Sequence, residues 1–198
     1  MQSTFKSGIF IGLFFILLAV AFYTFIGKIS PKGQEAVKQV LPGNNSPTAQ
    51  GISIHSLDRP LWDLEQVAGA TLDAASFTDK VLLLDFWATW CKPCRFLVPH
   101  LSALQAEYGD QDFLVVGICL DGDGVEAIQP TIDSWGMDYP VLLGNEREAK
   151  ALGEIMMIPT TFLINRQGKV VEKFVGVVSK EILEQAVRRE LNQESAEP

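Results

Sequence analysis

The chain reads as an α/β domain, a mixed central sheet flanked by helices, preceded by one apolar N-terminal span. Three observations carry that expectation. The runs at 81–87 and 113–120 are almost continuously apolar, as in strands covered on both faces. Segments with helical spacing of apolar residues separate the strands. The chain then closes on a hairpin and a final helix, an order that makes a mixed sheet rather than a purely parallel one.

The 198 residues suffice for one ordinary domain with an accessory segment. A net charge of -8 with no basic stripe argues against nucleic acid and against electrostatic binding to an anionic membrane surface. There are three cysteines, two of them in one C-x-x-C, which excludes a disulfide-scaffold protein.

In order, residues 1–6 form a short N-terminus expected in the cytoplasm. Residues 7–27 carry no charge and, as a helix, match the roughly 30 Å hydrocarbon core of a bilayer. No small-residue cleavage site follows, so an uncleaved anchor is expected rather than a signal peptide. Lysines on both sides (Lys6 against Lys28, Lys32 and Lys38) do not orient it. Residues 28–51 are a linker, rich in breakers at 41–48; its Asn44-Asn45-Ser46 is a chance-prone glycosylation triplet.

The folded domain is expected over 52–192, with a disordered tail at 193–198. Short strands are expected at 61–67 and 70–72 around Gly69, then a buried strand at 81–87 and a helix at 94–108 with Phe96, Leu97, Leu101, Leu104 and Tyr108 as its apolar stripe. A strand at 113–120, a helix at 125–135 around Pro130, a strand at 139–143 and a helix at 146–155 follow. Strands at 160–165 and 170–175 make the hairpin, and a helix at 180–191, N-capped by Ser179, closes the domain.

The chemistry concentrates at Cys91-Lys92-Pro93-Cys94, directly after the first buried strand and at the start of a helix. Disulfide exchange needs a thiolate to attack and a second thiol to release the mixed disulfide. Two intervening residues on a first helical turn bring both sulfurs within bonding range. The helix N-terminus then favours the thiolate of Cys91, which makes Cys91 the nucleophile and Cys94 the resolving thiol. Pro93 costs no hydrogen bond in a first turn, and Lys92 adds positive charge beside Cys91. A structural zinc would need four ligands, and Cys119, His55 and His100 lack the spacing to complete one. Neither a metal nor a cofactor is expected.

Asp85 interrupts an otherwise apolar strand. Burial raises the pKa of an unpaired carboxylate, which suits a proton acceptor for Cys94 near neutral pH. Cys119, within the second apolar run, is expected as a small core residue. Asp121-Gly122-Asp123-Gly124 begins like a calcium loop but breaks the ligand pattern at Val125, and reads as a turn.

The segment Asp85-Phe86-Trp87-Ala88-x-Trp90-Cys91-x-Pro93-Cys94 resembles the active-site segment of thioredoxins. The likeness extends to Pro99 in the following helix, to Ile158-Pro159-Thr160, and to residues 176–180 before the last helix. It implies the thioredoxin fold and a cis peptide at Pro159. It also implies that Ile158 and Pro159 shape a substrate groove against the dithiol; Trp90, next to the nucleophile Cys91, is expected at the rim of the site. An extra helix and strand within 121–153, before that proline, together with the apolar span, resemble the TlpA/ResA-like branch of membrane-anchored thiol-disulfide oxidoreductases. That likeness implies a catalytic domain outside the cytoplasm, protein disulfides as substrates, a membrane electron donor, and a connection to cytochrome c maturation. The chain departs from the branch at Leu97, where some members carry glutamate, and at Asp85, where members often have asparagine. The Lys92-Pro93 dipeptide resembles reducing members of the superfamily. Two other readings stand beside a disulfide reductase: a peroxiredoxin-like peroxidase, and a non-catalytic peptide-binding module using the same groove.

Overall fold

β2 (Val81–Trp87) is buried at every residue and forms the axis of the domain. The computed structural model describes residues 51–193 except Asp58, Asp123 and Glu154. Its strands are β1 (Glu65–Ala68), β2, β3 (Phe113–Cys119), β4 (Val141–Leu143), β5 (Thr160–Ile164) and β6 (Val170–Val175). They lie side by side in the order β1-β4-β3-β2-β5-β6. β2, β3 and β4 run parallel, while β1, β5 and β6 pair antiparallel with their neighbours. The helices are α1 (Lys92–Tyr108), α2 (Val125–Trp135), α3 (Glu146–Ala151) and α4 (Lys180–Gln193).

The alternation of side chains along β2 divides the core. Val81, Leu83 and Trp87 face α1, α2 and α4, where Leu97, Leu101, Leu104, Ile128, Leu183 and Val187 pack. Leu82, Leu84 and Phe86 face α3 and the N-terminal turns, against Phe77, Leu61, Ala149 and Leu152. Burying each such aliphatic or aromatic side chain contributes about 1.5–3 kcal/mol. Because both faces are covered, β2, β3 and β5 carry apolar side chains on both sides, as expected of the runs at 81–87 and 113–120.

The expected helix at 125–135 and the strand at 81–87 stand as read. The region before β2 differs. Residues 61–63 form a 3-10 turn, and only Glu65–Ala68 is a strand. Residues 70–72 form no strand, because the Gln66 side chain satisfies their backbone: its amide donates to the carbonyls of Gly69 (3.1 Å) and Ala70, and its oxygen accepts from Leu72 N. β4 begins at Val141 rather than 139. α3 stops at Ala151, with Gly153 at φ 97, well short of 155. α4 runs through Gln193, so the first residue of the expected tail is helical.

The expected anchor at 7–27, residues 28–50 of the linker, the Asn44 triplet and residues 194–198 lie outside the described residues. Among the described residues no helix is long and apolar enough to cross a membrane.

Candidate active site

β2 ends at Trp87 and delivers the chain through Ala88-Thr89-Trp90 to Cys91, the N-cap of α1. α1 starts at Lys92, two residues ahead of the expected helix, because Cys91 itself caps it and Pro93 fits the first turn. The Cys94 N–H donates to Cys91 Sγ at 3.2 Å and lies 3.1 Å from the Cys91 carbonyl. Cys91 and Cys94 are joined in a disulfide with their Cα atoms 5.4 Å apart. Both are buried, whereas Lys92 and Pro93 are exposed and Trp90 is 72% exposed. Free N–H groups and the helix dipole at this end stabilise a thiolate on Cys91 once the disulfide opens.

The β2–β5 register brings the second part of the site. Phe86 pairs with Thr160, so Pro159, just before β5, comes alongside the end of β2 from which the dithiol loop emerges. The Ile158–Pro159 peptide is cis. Pro159 is buried and its carbonyl accepts from Gly176 N at 2.8 Å. Ile158 is half-buried and packs against both halves of the core. Met156 and Met157, immediately before it, are exposed, as is Val177 after Gly176. Sequence reasoning passed over Met156 and Met157; adjacency to Ile158-Pro159 was the available signal.

Asp85 lies two residues before the end of β2 and is 1% exposed, so it is not an edge residue facing solvent. Burial pushes its carboxyl up to about 7, and the Thr161 hydroxyl, donating to Oδ1 at 3.0 Å, acts in the opposite sense. The carboxyl therefore exchanges its proton near neutral pH.

Cys119 ends β3, directly opposite Trp87 in the β2–β3 register, and is fully buried. Its thiol donates to Asp121 Oδ2 at 3.4 Å. The same oxygen accepts from Thr89 N at 2.7 Å, in the loop leading to Cys91. Asp121 is thus a buried brace for the dithiol loop. Thr89 and Asp121 were not singled out from sequence for this contact, which spans 32 residues. His100 donates from Nδ1 to the Val178 carbonyl at 2.9 Å, tying α1 to the turn before α4. Among the described residues no group of three His, Cys, Asp or Glu side chains is placed to hold a metal ion.

The chain is similar to several known proteins. The thiol-disulfide oxidoreductase ResA of Bacillus subtilis (strain 168) is 29% identical over 126 residues, covering 64% of this chain and 70% of ResA. ResA of Bacillus thuringiensis (strain Al Hakam) is 30% identical over 128 residues, covering 64% of this chain and 73% of its own length. A thiol:disulfide interchange protein of the thioredoxin family from Chlorobium tepidum TLS superposes with a TM-score of 0.57 at 29% identity, over 64% of this chain and 90% of that one. A secreted thiol-disulfide isomerase from Corynebacterium glutamicum, at 22% identity and a TM-score of 0.59 over 65% of this chain and 82% of its own, shares the fold. The fold is therefore thioredoxin-like, and the Cys91–Cys94 pair performs thiol-disulfide oxidoreduction on protein substrates. With the Redoxin profile matching residues 39–190, the chain belongs to the Redoxin family, among its ResA-like thiol-disulfide oxidoreductases.

Proposed function

We propose that the protein reduces disulfides of proteins outside the cytoplasm, with Cys91 as nucleophile, Cys94 as resolving thiol and Asp85 as the proton acceptor for Cys94. The observation that carries this is Cys91 Sγ at the cap of α1, receiving the Cys94 N–H, with a buried carboxyl on the adjoining strand. In the reaction the Cys91 thiolate attacks one sulfur of a substrate disulfide; the other substrate sulfur leaves as a thiolate and takes a proton from solvent. Asp85 then accepts the Cys94 proton. The Cys94 thiolate attacks Cys91 Sγ, forming the Cys91–Cys94 disulfide and releasing the second substrate sulfur, to which the Asp85 proton passes. Two electrons move from the protein dithiol to the substrate.

Trp90, Lys92, Pro93, Ile158 and Pro159 form the surface that receives the substrate chain. The exposed apolar Trp90, Met156, Met157 and Val177 favour an extended segment with apolar residues beside its cysteine. The reducing direction is supported by the Lys92-Pro93 dipeptide, and apocytochrome c is a candidate among the substrates. The apolar 7–27 span would anchor the domain to the membrane, and regeneration of the dithiol would then draw electrons from a membrane-spanning donor.

Replacing Cys94 with Ala leaves the Cys91 mixed disulfide without a resolving thiol. The expected result is a stable, reductant-sensitive adduct with substrate proteins from outside the cytoplasm. Trapping of cytoplasmic proteins only, or of none, overturns the reading. A reduction potential near the roughly -120 mV of strong oxidants would reverse the direction.

A further inference from the structure

The turn at 176–178, between β6 and α4, is held from two sides. Gly176 leaves β6 with φ 83, a conformation that favours glycine, and its N–H donates to the Pro159 carbonyl at 2.8 Å. Two residues on, the Val178 carbonyl accepts from His100 Nδ1 on α1 at 2.9 Å, across 78 residues of sequence. A carbonyl can only accept, so Nδ1 carries the hydrogen. Val177, between the two bonds, is 47% exposed. The chain before Pro159 is held as well: the Thr160 hydroxyl donates to the Met157 carbonyl at 2.6 Å, and the Met157 side chain is exposed. His100 itself is half-buried and lies roughly 13 Å along α1 from Cys91, at 1.5 Å per residue. The helix that carries the dithiol at its first turn thus also holds the far end of the turn bonded to Pro159. Docking α1 on α4 does not need this bond. Lys180 Nζ to Glu107 at 2.8 Å and Tyr108 O–H to Glu184 at 2.9 Å already join the two helices at the opposite end of α1.

We infer that His100 is a positioning residue for the substrate chain: by tying the Val178 carbonyl to α1, it fixes where Val177 stands relative to Pro159 and Cys91, and so the width of the groove. His100 makes no bond to substrate and exchanges no proton in the reaction. Its effect passes through Val178, Val177 and Gly176 to the Pro159 carbonyl. Without His100 the Val178 carbonyl must find water instead, and the turn swings away from α1. The substrates that feel this are peptides. A small disulfide reaches Cys91 without lying along Val177, whereas a chain that continues past its cysteine must pass it. His100 thereby favours polypeptide disulfides over small ones. The role depends on the groove proposed above for protein substrates.

The test uses the full chain, reduced, in single turnover against two probes. One is a synthetic peptide with leucine on both sides of a cysteine held as a mixed disulfide with glutathione; the other is hydroxyethyl disulfide. His100→Ala is expected to raise the half-saturating peptide concentration about fivefold, the factor for one ordinary hydrogen bond, with the limiting rate within about twofold. The ratio of peptide rate to hydroxyethyl disulfide rate at low concentration falls by the same factor. His100→Asn, whose side-chain amide N–H can take the place of Nδ1–H, is expected to restore both. Amide hydrogen exchange at Gly176, read by NMR, should quicken in His100→Ala and return in His100→Asn. Tyr108→Phe, which cuts a tie at the other end of α1, is expected to lower the denaturation midpoint while keeping the ratio. An unmoved half-saturating concentration in His100→Ala, an equal loss on both probes, or no recovery in His100→Asn overturns the inference. So does a ratio that falls as far in Tyr108→Phe, the result for a general loosening of α1 against α4. If His100→Ala does not fold, His100→Leu takes its place with the same expected changes. Wild type with no preference for the peptide overturns the groove itself, and the His100 role with it; a wild-type preference that His100→Ala retains overturns the His100 role alone.

Discussion

Cys91 follows the C-terminal end of β2 and Cys119 ends the neighbouring parallel β3; they are about equally buried, 3% and 0% exposed, yet their sulfurs are set up for opposite chemistry. Cys91 caps a helix and its sulfur receives a backbone N–H. Cys119 ends a strand, and its thiol donates to the Asp121 carboxylate. Burial, with Asp121's negative charge adding to it, pushes Cys119 up to about 12. Burial alone does not separate two cysteines that are both buried; what differs is the partner of each sulfur, a backbone N–H at a helix start for Cys91 and, adding to desolvation, a carboxylate for Cys119.

The largest effect that would test the reactive half of this contrast is on Asp85. Asp85→Asn is expected to slow resolution by Cys94 near pH 7 by about 10²-fold or more, the usual range for a general base. Stability should move the other way. The folded carboxyl titrates near 7 against 3.8 for an ordinary aspartate, so the folded state holds its proton more tightly than the unfolded state. Wild-type stability is therefore highest below the unfolded value and is lost as pH rises from about 4 to 7. That loss is at most about 4 kcal/mol above pH 7. Denaturant titrations of wild type and Asp85→Asn should converge near pH 4 and separate at pH 8, the variant being the more stable. Parallel curves would break the assignment.

Thiol labelling sharpens the contrast next. In the reduced native protein at pH 7, an alkylating reagent should modify Cys91 first. Cys119, with a thiolate fraction on the order of 10⁻⁵ and no exposure, should label only on unfolding. Native labelling of Cys119 at a comparable rate would erase the distinction.

A smaller effect is expected at the brace. Asp121→Asn exchanges a charged acceptor of Thr89 N and Cys119 for a neutral one and should cost about 1–2 kcal/mol in chemical denaturation. It should also lower the Cys119 pKa, though burial keeps it above that of a free thiol. The smallest effect belongs to Cys119→Ala: turnover within about twofold of wild type and a stability loss of about 1 kcal/mol. A large loss of turnover would give Cys119 a redox role.

Local pattern made much of this legible. The strands at 81–87 and 113–120 were readable because a doubly covered strand must be apolar on both faces. Asp85 stood out because it broke such a run, and the dithiol because its spacing is itself the chemistry. Reading failed at 70–72, where a single glutamine satisfies the backbone that was expected to pair in a strand, while of the strand expected at 61–67 the part from Glu65 formed. The loop reading of Asp121 holds, but its brace to the active loop, made across 32 residues, was not legible in the sequence.

By itself the sequence determined which residues are buried in strands, where α1 begins and which two sulfurs exchange, because these depend on neighbours a few positions apart. Tertiary structure alone decided what surrounds them. It set Thr161 on Asp85 across 76 residues and Pro159 beside the end of β2. Those meetings follow from strand register, which is fixed by the packing of the whole core and not by spacing along the chain.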